Sequence, residues 1–421
     1  MQSYRNFLSI NGRLICFGVL AAFSSAFGQT FFISLFGAEI RETFDLSHGD
    51  FGAVYSAGTL ASAGFLIWTG KMIDQIDLRI YMVAICLGLA AACVGMSLAG
   101  SVVTLIAVVF CLRQFGQGLL SHTSSTTMAR YVFPGRGKAV GLAALGFPLG
   151  EAVFPSIAVA MIFAVGWRQT WLFCAAFIVV ILVPAALILL RRHRERDQAY
   201  RNRLDDEERS RVASGLTEMS DWTRARVLRD RRFYLALPAI LAPSFVFTGL
   251  FFHQVHLVEL QGWTMEGLAA SYFAYSAATI GSSVAGGALI DRVGAVRLLP
   301  WFLLPLIAAV AVLIVGGSSW TVWPYMVLVG LNAGMSHALF SAIWAEIYGT
   351  RFLGSLKAMS SALMVFSSAL SPFLLGLFFD LGADMMTLCL GLMAYLLFTI
   401  LLATAAMRGY LAAGLGGPAP A

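Results

Sequence analysis

Gly287-Ala288-Leu289-Ile290-Asp291-Arg292-Val293-Gly294-Ala295-Val296-Arg297 closes a long apolar run, and its frame appears once before, 217 positions earlier, as Gly70-Lys71-Met72-Ile73-Asp74. The same spacing carries Gly64 to Gly281, Gly100-Ser101 to Gly317-Ser318, Gly137 to Gly354 and Pro155 to Pro372. Glycine and proline set loop entries and helix kinks, so what repeats here is backbone geometry. The chain reads as two parallel copies of one unit, a design that places a substrate between the copies near mid-membrane.

Apolar runs cover 14–38, 51–69, 80–99, 102–128, 138–164 and 169–190, then 233–258, 268–290, 298–316, 320–345, 354–379 and 384–406. Of the 421 residues, 59% are hydrophobic and 12% charged, against roughly 25% charged in a soluble domain, and mean hydropathy is +0.80. Lipid offers backbone groups no water, so runs of about 20 apolar residues must be helices. We therefore expect an all-α membrane protein of twelve transmembrane helices, arranged as two pseudo-symmetric six-helix bundles. Residues 1–190 form the first bundle, 191–232 a linker and 233–421 the second. This excludes a soluble enzyme, a nucleic-acid-binding domain and a single-span receptor. Cys16, Cys86, Cys93, Cys111, Cys174 and Cys389 all fall in apolar segments without metal-ligand spacing, and read as free thiols.

The net charge of +6 is explained by where the bases lie. With the N-terminus in the cytoplasm, the inward loops and both tails hold 25 of the 28 Lys and Arg residues, and the outward loops only Arg41 and Arg168. That segregation puts both termini inside, and short outer loops and tails suggest a bacterial inner (plasma) membrane. The linker mixes thirteen Arg with nine acids. Asp205-Asp206-Glu207-Glu208-Arg209 and Ser220-Asp221-Trp222 read as helix starts within a solvated cytoplasmic tether.

With both loop copies in view, the chain resembles a major facilitator superfamily transporter over essentially its whole length. The family's loop runs Gly-x-x-x-Asp-Arg-x-Gly followed by basic residues. Gly287, Asp291, Arg292, Gly294 and Arg297 match it. The first copy keeps Gly70 and Asp74, but Gln75 replaces the Arg and Asp77 the Gly, with Arg79 as the basic tail. The resemblance implies a gating role for Gly70, Asp74, Arg79, Gly287, Asp291 and Arg292. The glycines let helices approach closely, and the aspartates pair with arginines or helix N-termini of the other half. Ordinary loop caps are the alternative.

An ionisable residue at membrane depth costs at least about 2.5–3.5 kcal/mol, so it points to function. Arg113 lies in the fourth run and Glu151 in the fifth, while their repeat counterparts, Gly330 and Ser368, are neutral. Arg113 resembles the helix-4 arginine of many superfamily members. The pair admits three readings: a proton switch in which Glu151 takes a proton and releases Arg113, direct contact of Arg113 with an anionic substrate, or a structural salt bridge. Gln29, Tyr55, His253, Asn332 and His337 are the further substrate-binding candidates, as polar groups on runs expected to face a cavity. Pro238 and Pro243 are expected to kink the seventh run. Ser121-His122 is no catalytic pair, since adjacent helical residues diverge and no acid completes a triad. No phosphate-binding loop occurs, so we expect neither an enzyme nor a cofactor.

The resulting expectation is secondary active transport of a small, monocarboxylate-like organic anion by alternating access, with a proton or an exchanged anion as coupling species. Short likenesses at Arg231-Arg232-Phe233-Tyr234 and Trp167-Arg168 to the monocarboxylate and oxalate–formate branch point the same way. The alternative is a proton-coupled exporter of amphipathic compounds, with Glu151 as its cation site. The superfamily resemblance implies a monomer in the lipid bilayer.

Overall fold

In the computed structural model the residues described are 2–133, 135–191, 193–200, 202, 224–349 and 353–415; the two helix starts read within the linker lie outside them. Among the described residues, eleven helices are long and apolar enough to cross a membrane, and a shorter apolar one follows the same pattern. In chain order they are α1 Asn6–Gly28, α2 His48–Asp74, α3 Leu78–Leu98, α4 Val102–Tyr131, α5 Arg136–Val165 and α6 Trp167–Leu189. The second set is α7 Arg231–Phe252, α8 Met265–Val293, α9 Leu304–Val315, α10 Ser319–Tyr348, α11 Leu356–Asp380 and α12 Met385–Ala412. Large apolar side chains such as Ile67, Val180 and Leu401 stand 62–70% exposed, as a lipid-facing surface requires. All six cysteines are free thiols.

The repeat is visible in the coordinates at its geometry-setting positions. Ser101 caps α4 by accepting from Thr104 N, and Ser318 caps the start of α10 by accepting from Trp320 N. Pro155 and Pro372 both lie inside helices, α5 and α11. The loop motifs differ for a backbone reason. Gly294 sits at φ +93°, where a side chain is strained and a Cβ would stand 2.9 Å from Glu346 Oε1. Asp77 sits at φ −53° and caps α3 through Arg79 N, so the first copy has no need of glycine there.

Contacts divide the chain into two compact units that do not follow the two halves of the sequence. One comprises Met1–Phe32, Ala61–Gly150 and Met161–Ser220; the other comprises Ile33–Leu60, Glu151–Ala160 and Asp221–Ala421. In the first unit α1 packs on α4: Ser124 Oγ donates to Gly18 O, and a Cβ on Gly18 would meet Ala143 and Met128. Arg168 lies over Trp167 and donates to the carbonyls of Ser97 and Ala99, tying α6 to the end of α3. The linker's helical residues 193–200 dock on the end of α4, where Tyr131 packs on His193 and donates to Asp197. Burial holds the His193 imidazole below its ordinary pKa.

In the second unit α8 and α10 cross closely through Gly330 and Gly334, which abut the carbonyls of Tyr275 and Thr279. Asp230 caps α7 by accepting from Arg232 N, pairs with the Arg232 guanidinium and accepts from Tyr348 OH. The short stretches Trp167-Arg168 and Arg231-Arg232 thus perform structural tasks.

Candidate functional site

Two irregular helices meet in the first unit. Helix α1 leaves regular geometry at Ser25–Gly28, a 3₁₀ turn, and Gln29 is extended; short helical pieces Thr30–Ile33, Ser34–Phe36 and Gly37–Phe44 follow. The run read as one helix over 14–38 is therefore broken in its middle. Helix α4 widens into a π-helix over Arg113–Leu120. The cause is a backbone contact: a Cβ on Gly28 would lie 2.6 Å from Gln117 N and closer still to the Leu112 carbonyl, and one on Gly116 would lie 2.6 Å from Gly28 N. Two glycines let these backbones touch, and the π turn makes room. Such turns concentrate at functional sites.

Arg113 sits on this turn, 4% exposed, and donates from Nη1 to the Gly28 carbonyl at 3.0 Å. Gln114 accepts from Ser62 Oγ at 3.1 Å and donates to Thr69 Oγ1 at 2.7 Å. Gln117 Oε1 and Ser24 Oγ are buried with no hydrogen-bond partner among the described residues. Gln29 donates to Ser25 Oγ at 3.5 Å. Sequence reading named Arg113 and Gln29 but not Gln117. The widened turn that makes its amide matter has no sequence signature beyond Gly116 and Gly118.

The loop residues of the first copy are engaged. Asp74 pairs with Arg130 of α4, which also holds the Ile73 carbonyl at 3.2 Å. His122 Nε2–H donates to Gly70 O at 3.1 Å, and Arg79 reaches the carbonyls of Leu190 and Arg191. In the second copy Gly287 and Asp291 line a cavity of about 280 Å³ together with His337, and Arg292 is exposed.

The second unit holds the remaining candidates. Glu151 lies within electrostatic reach of Tyr272 and Tyr275, which cluster with Phe251 at ring separations of 5.7–5.9 Å. Tyr272 OH donates to Gln254 Oε1, Gln254 Nε2 donates to Ser34 Oγ, and Ser34 Oγ donates to Phe251 O, at 2.7, 2.8 and 2.7 Å. Helix α7 breaks at His253, ten residues beyond Pro243, and resumes over Gln254–Gln261; both prolines stay within helix. His253 Nε2–H donates to Pro372 O at 3.0 Å, in an aromatic stack with His48, His256 and Phe379. Tyr55 is fully buried against Phe252. Asp380, absent from the sequence candidates, accepts from Ser47 Oγ, His48 N and Gly49 N at 2.8, 3.1 and 2.8 Å, capping α2 from the end of α11.

Asn332 is fully buried and donates to the Phe302 carbonyl at 2.5 Å, joining α10 to the turn before α9. Asn332→Ala should leave that carbonyl unpaired and lower stability by about 1–3 kcal/mol, read by thermal unfolding, with a smaller effect on the KM of any activity. A large KM change at full stability would return Asn332 to the substrate site.

Among the described residues, eleven membrane-length apolar helices and a shorter one define a polytopic membrane protein. The sequence model of the Major Facilitator Superfamily matches residues 18–372, and the chain belongs to that family. A bacterial homologue of the human lysosomal transporter Spinster, solved in an inward-facing and occupied conformation, shares the fold at a TM-score of 0.66 and 14% identity, over 96% of this chain and 97% of that one. The same homologue in an inward-facing and unoccupied conformation gives 0.62 and 14%, over 95% and 96%. Comparison with curated sequences returns no match.

Proposed function

We propose that this transporter moves a small organic anion by secondary active transport, cycling by alternating access between an N-terminal bundle (1–190) and a C-terminal bundle (233–421) tethered by 191–232. We place it in a bacterial inner membrane with both termini in the cytoplasm, on the segregation of Lys and Arg. The observation that carries the anion reading is Arg113: a buried guanidinium on a π-helical turn well inside a span, oriented by the Gly28 carbonyl. A guanidinium fork matches a carboxylate in geometry and charge. The unspent polar atoms of Gln117 and Ser24 in the same unit offer further bonds to a ligand. Glu151, a carboxyl inside α5 and beside tyrosines, is the proton site in this reading.

A second reading keeps one specific observation in its favour. Glu151 lies within electrostatic reach of Tyr272 and Tyr275, which cluster with Phe251, and an acid near a ring cluster suits a lipophilic cation and hence an exporter. Thermal unfolding of the purified protein separates the two, because a ligand that binds the folded state alone raises its stability. Small carboxylates should stabilise the wild type and fail to stabilise Arg113→Gln. Stabilisation by tetraphenylphosphonium, kept in Arg113→Gln and lost in Glu151→Gln, would replace the anion reading with the exporter.

A further inference from the structure

The loop motif is spent in the first copy and open in the second. Asp74 is neutralised by Arg130, and His122 is bound to the Gly70 carbonyl. The position 217 residues after Arg130 is Ile347, which carries no charge. Asp291 and His337 have no hydrogen bond or ion pair among the described residues. Both are exposed and line an open cavity of about 280 Å³ between α8 and α10, with Ser283, Ser341, Gly287 and Ile290. The space is real at its glycine: a Cβ on Gly287 would meet nothing within 4 Å.

We propose that this cavity is a binding site for a small primary ammonium. The Asp291 carboxylate supplies the counter-charge, and a ring nitrogen of His337 and the Ser283 and Ser341 hydroxyls supply acceptors for ammonium N–H groups. Among the described residues no aromatic carbocycle lines the space, so the recognition there is by hydrogen bonds. A quaternary ammonium, which has no N–H and is held by aromatic faces, is therefore disfavoured, and an anion is repelled by Asp291. His337, expected from sequence to help bind an anionic substrate, serves a cation site in this arrangement. The proposal goes beyond the anion reading above and stands on different residues.

Isothermal titration of the full-length detergent-purified protein with n-propylammonium, tetramethylammonium and propionate tests it. Propylammonium should bind and tetramethylammonium should not. Loss of a charge-assisted bond in Asp291→Asn should weaken propylammonium by about tenfold or more. Gly287→Leu, which keeps the charge, favours helix and fills the space, should abolish binding and guards against a folding defect in the first variant. Equal heats for the two ammonium ions, or propylammonium affinity unchanged in Gly287→Leu, overturns the site. Propionate binding that is lost only in Arg113→Gln reports on the anion reading and moves independently of these outcomes.

Discussion

Gly28→Ala is expected to be among the most damaging single-methyl additions to this protein. The new Cβ would be driven against backbone on the opposing helix, 2.6 Å from Gln117 N and 2.8 Å from Gly116 Cα. A flexible side chain could swing aside, but a peptide unit inside a hydrogen-bonded turn cannot. Overpacking of this kind costs about 1–3 kcal/mol and occasionally more, and we expect the upper end. The relief available is to push the π turn away, which moves Arg113 off the Gly28 carbonyl. The variant should therefore show both a lowered Tm and a loss of stabilisation by small carboxylates. Gly64→Ala is the matched control, since a Cβ there meets nothing within 4 Å; equal Tm values for the two variants would refute the argument.

Asp380→Ala is expected to release the junction between α2 and α11. Its carboxylate takes three donors at the α2 N-terminus, two of them backbone N–H groups, where a negative charge also meets the helix dipole. The backbones pack closely beside this cap: a Cβ on Gly376 would lie 2.8 Å from Gly49 N, and one on Gly52 2.8 Å from Phe373 Cα. Loss of a capping carboxylate is worth about 2 kcal/mol, a roughly 30-fold shift toward the open junction. In a Cys16→Ser background, Phe51→Cys should then become reactive to a membrane-impermeant maleimide, because Phe51 is 2% exposed against Phe252 while the junction holds. Asp384→Ala, which removes a neighbouring cap bound to Thr387 N, should leave labelling low. If Asp380→Ala labels no faster than Asp384→Ala, the capping carboxylate does not hold the junction.

Much of the fold was legible before any coordinates. The apolar runs located the spans because lipid leaves a backbone one local solution, and the Gly/Pro repeat located the two copies because those residues constrain φ and ψ directly. The break in α1 was not legible. Ser25–Gly28 carries no proline and lies inside an apolar run, and the break falls where the backbone at Gly28 meets α4. The interruption of α7 has the same character: Pro238 and Pro243 both lie within the helix, and regular geometry ends instead at His253.

Site residues divide along the same line. Residue type and depth alone marked Arg113 and Glu151, since a charge in a span demands an explanation. Asn332, equally polar and equally deep, is occupied by the Phe302 carbonyl, which lies 30 positions away in sequence. Asp380 was not among the sequence candidates, because its three donors arrive from residues 47 to 49.

The sequence by itself determined that this chain spans a membrane twelve times in two related halves, because hydropathy and the glycine and proline pattern act locally. Only the tertiary structure decided which polar groups are spent and which still face a space. Asp74 and Asp291 stand in the same motif, yet one is neutralised by an arginine on another helix and the other opens onto a cavity. Hydrogen-bond satisfaction is a property of pairs brought together by packing, and no single position carries it.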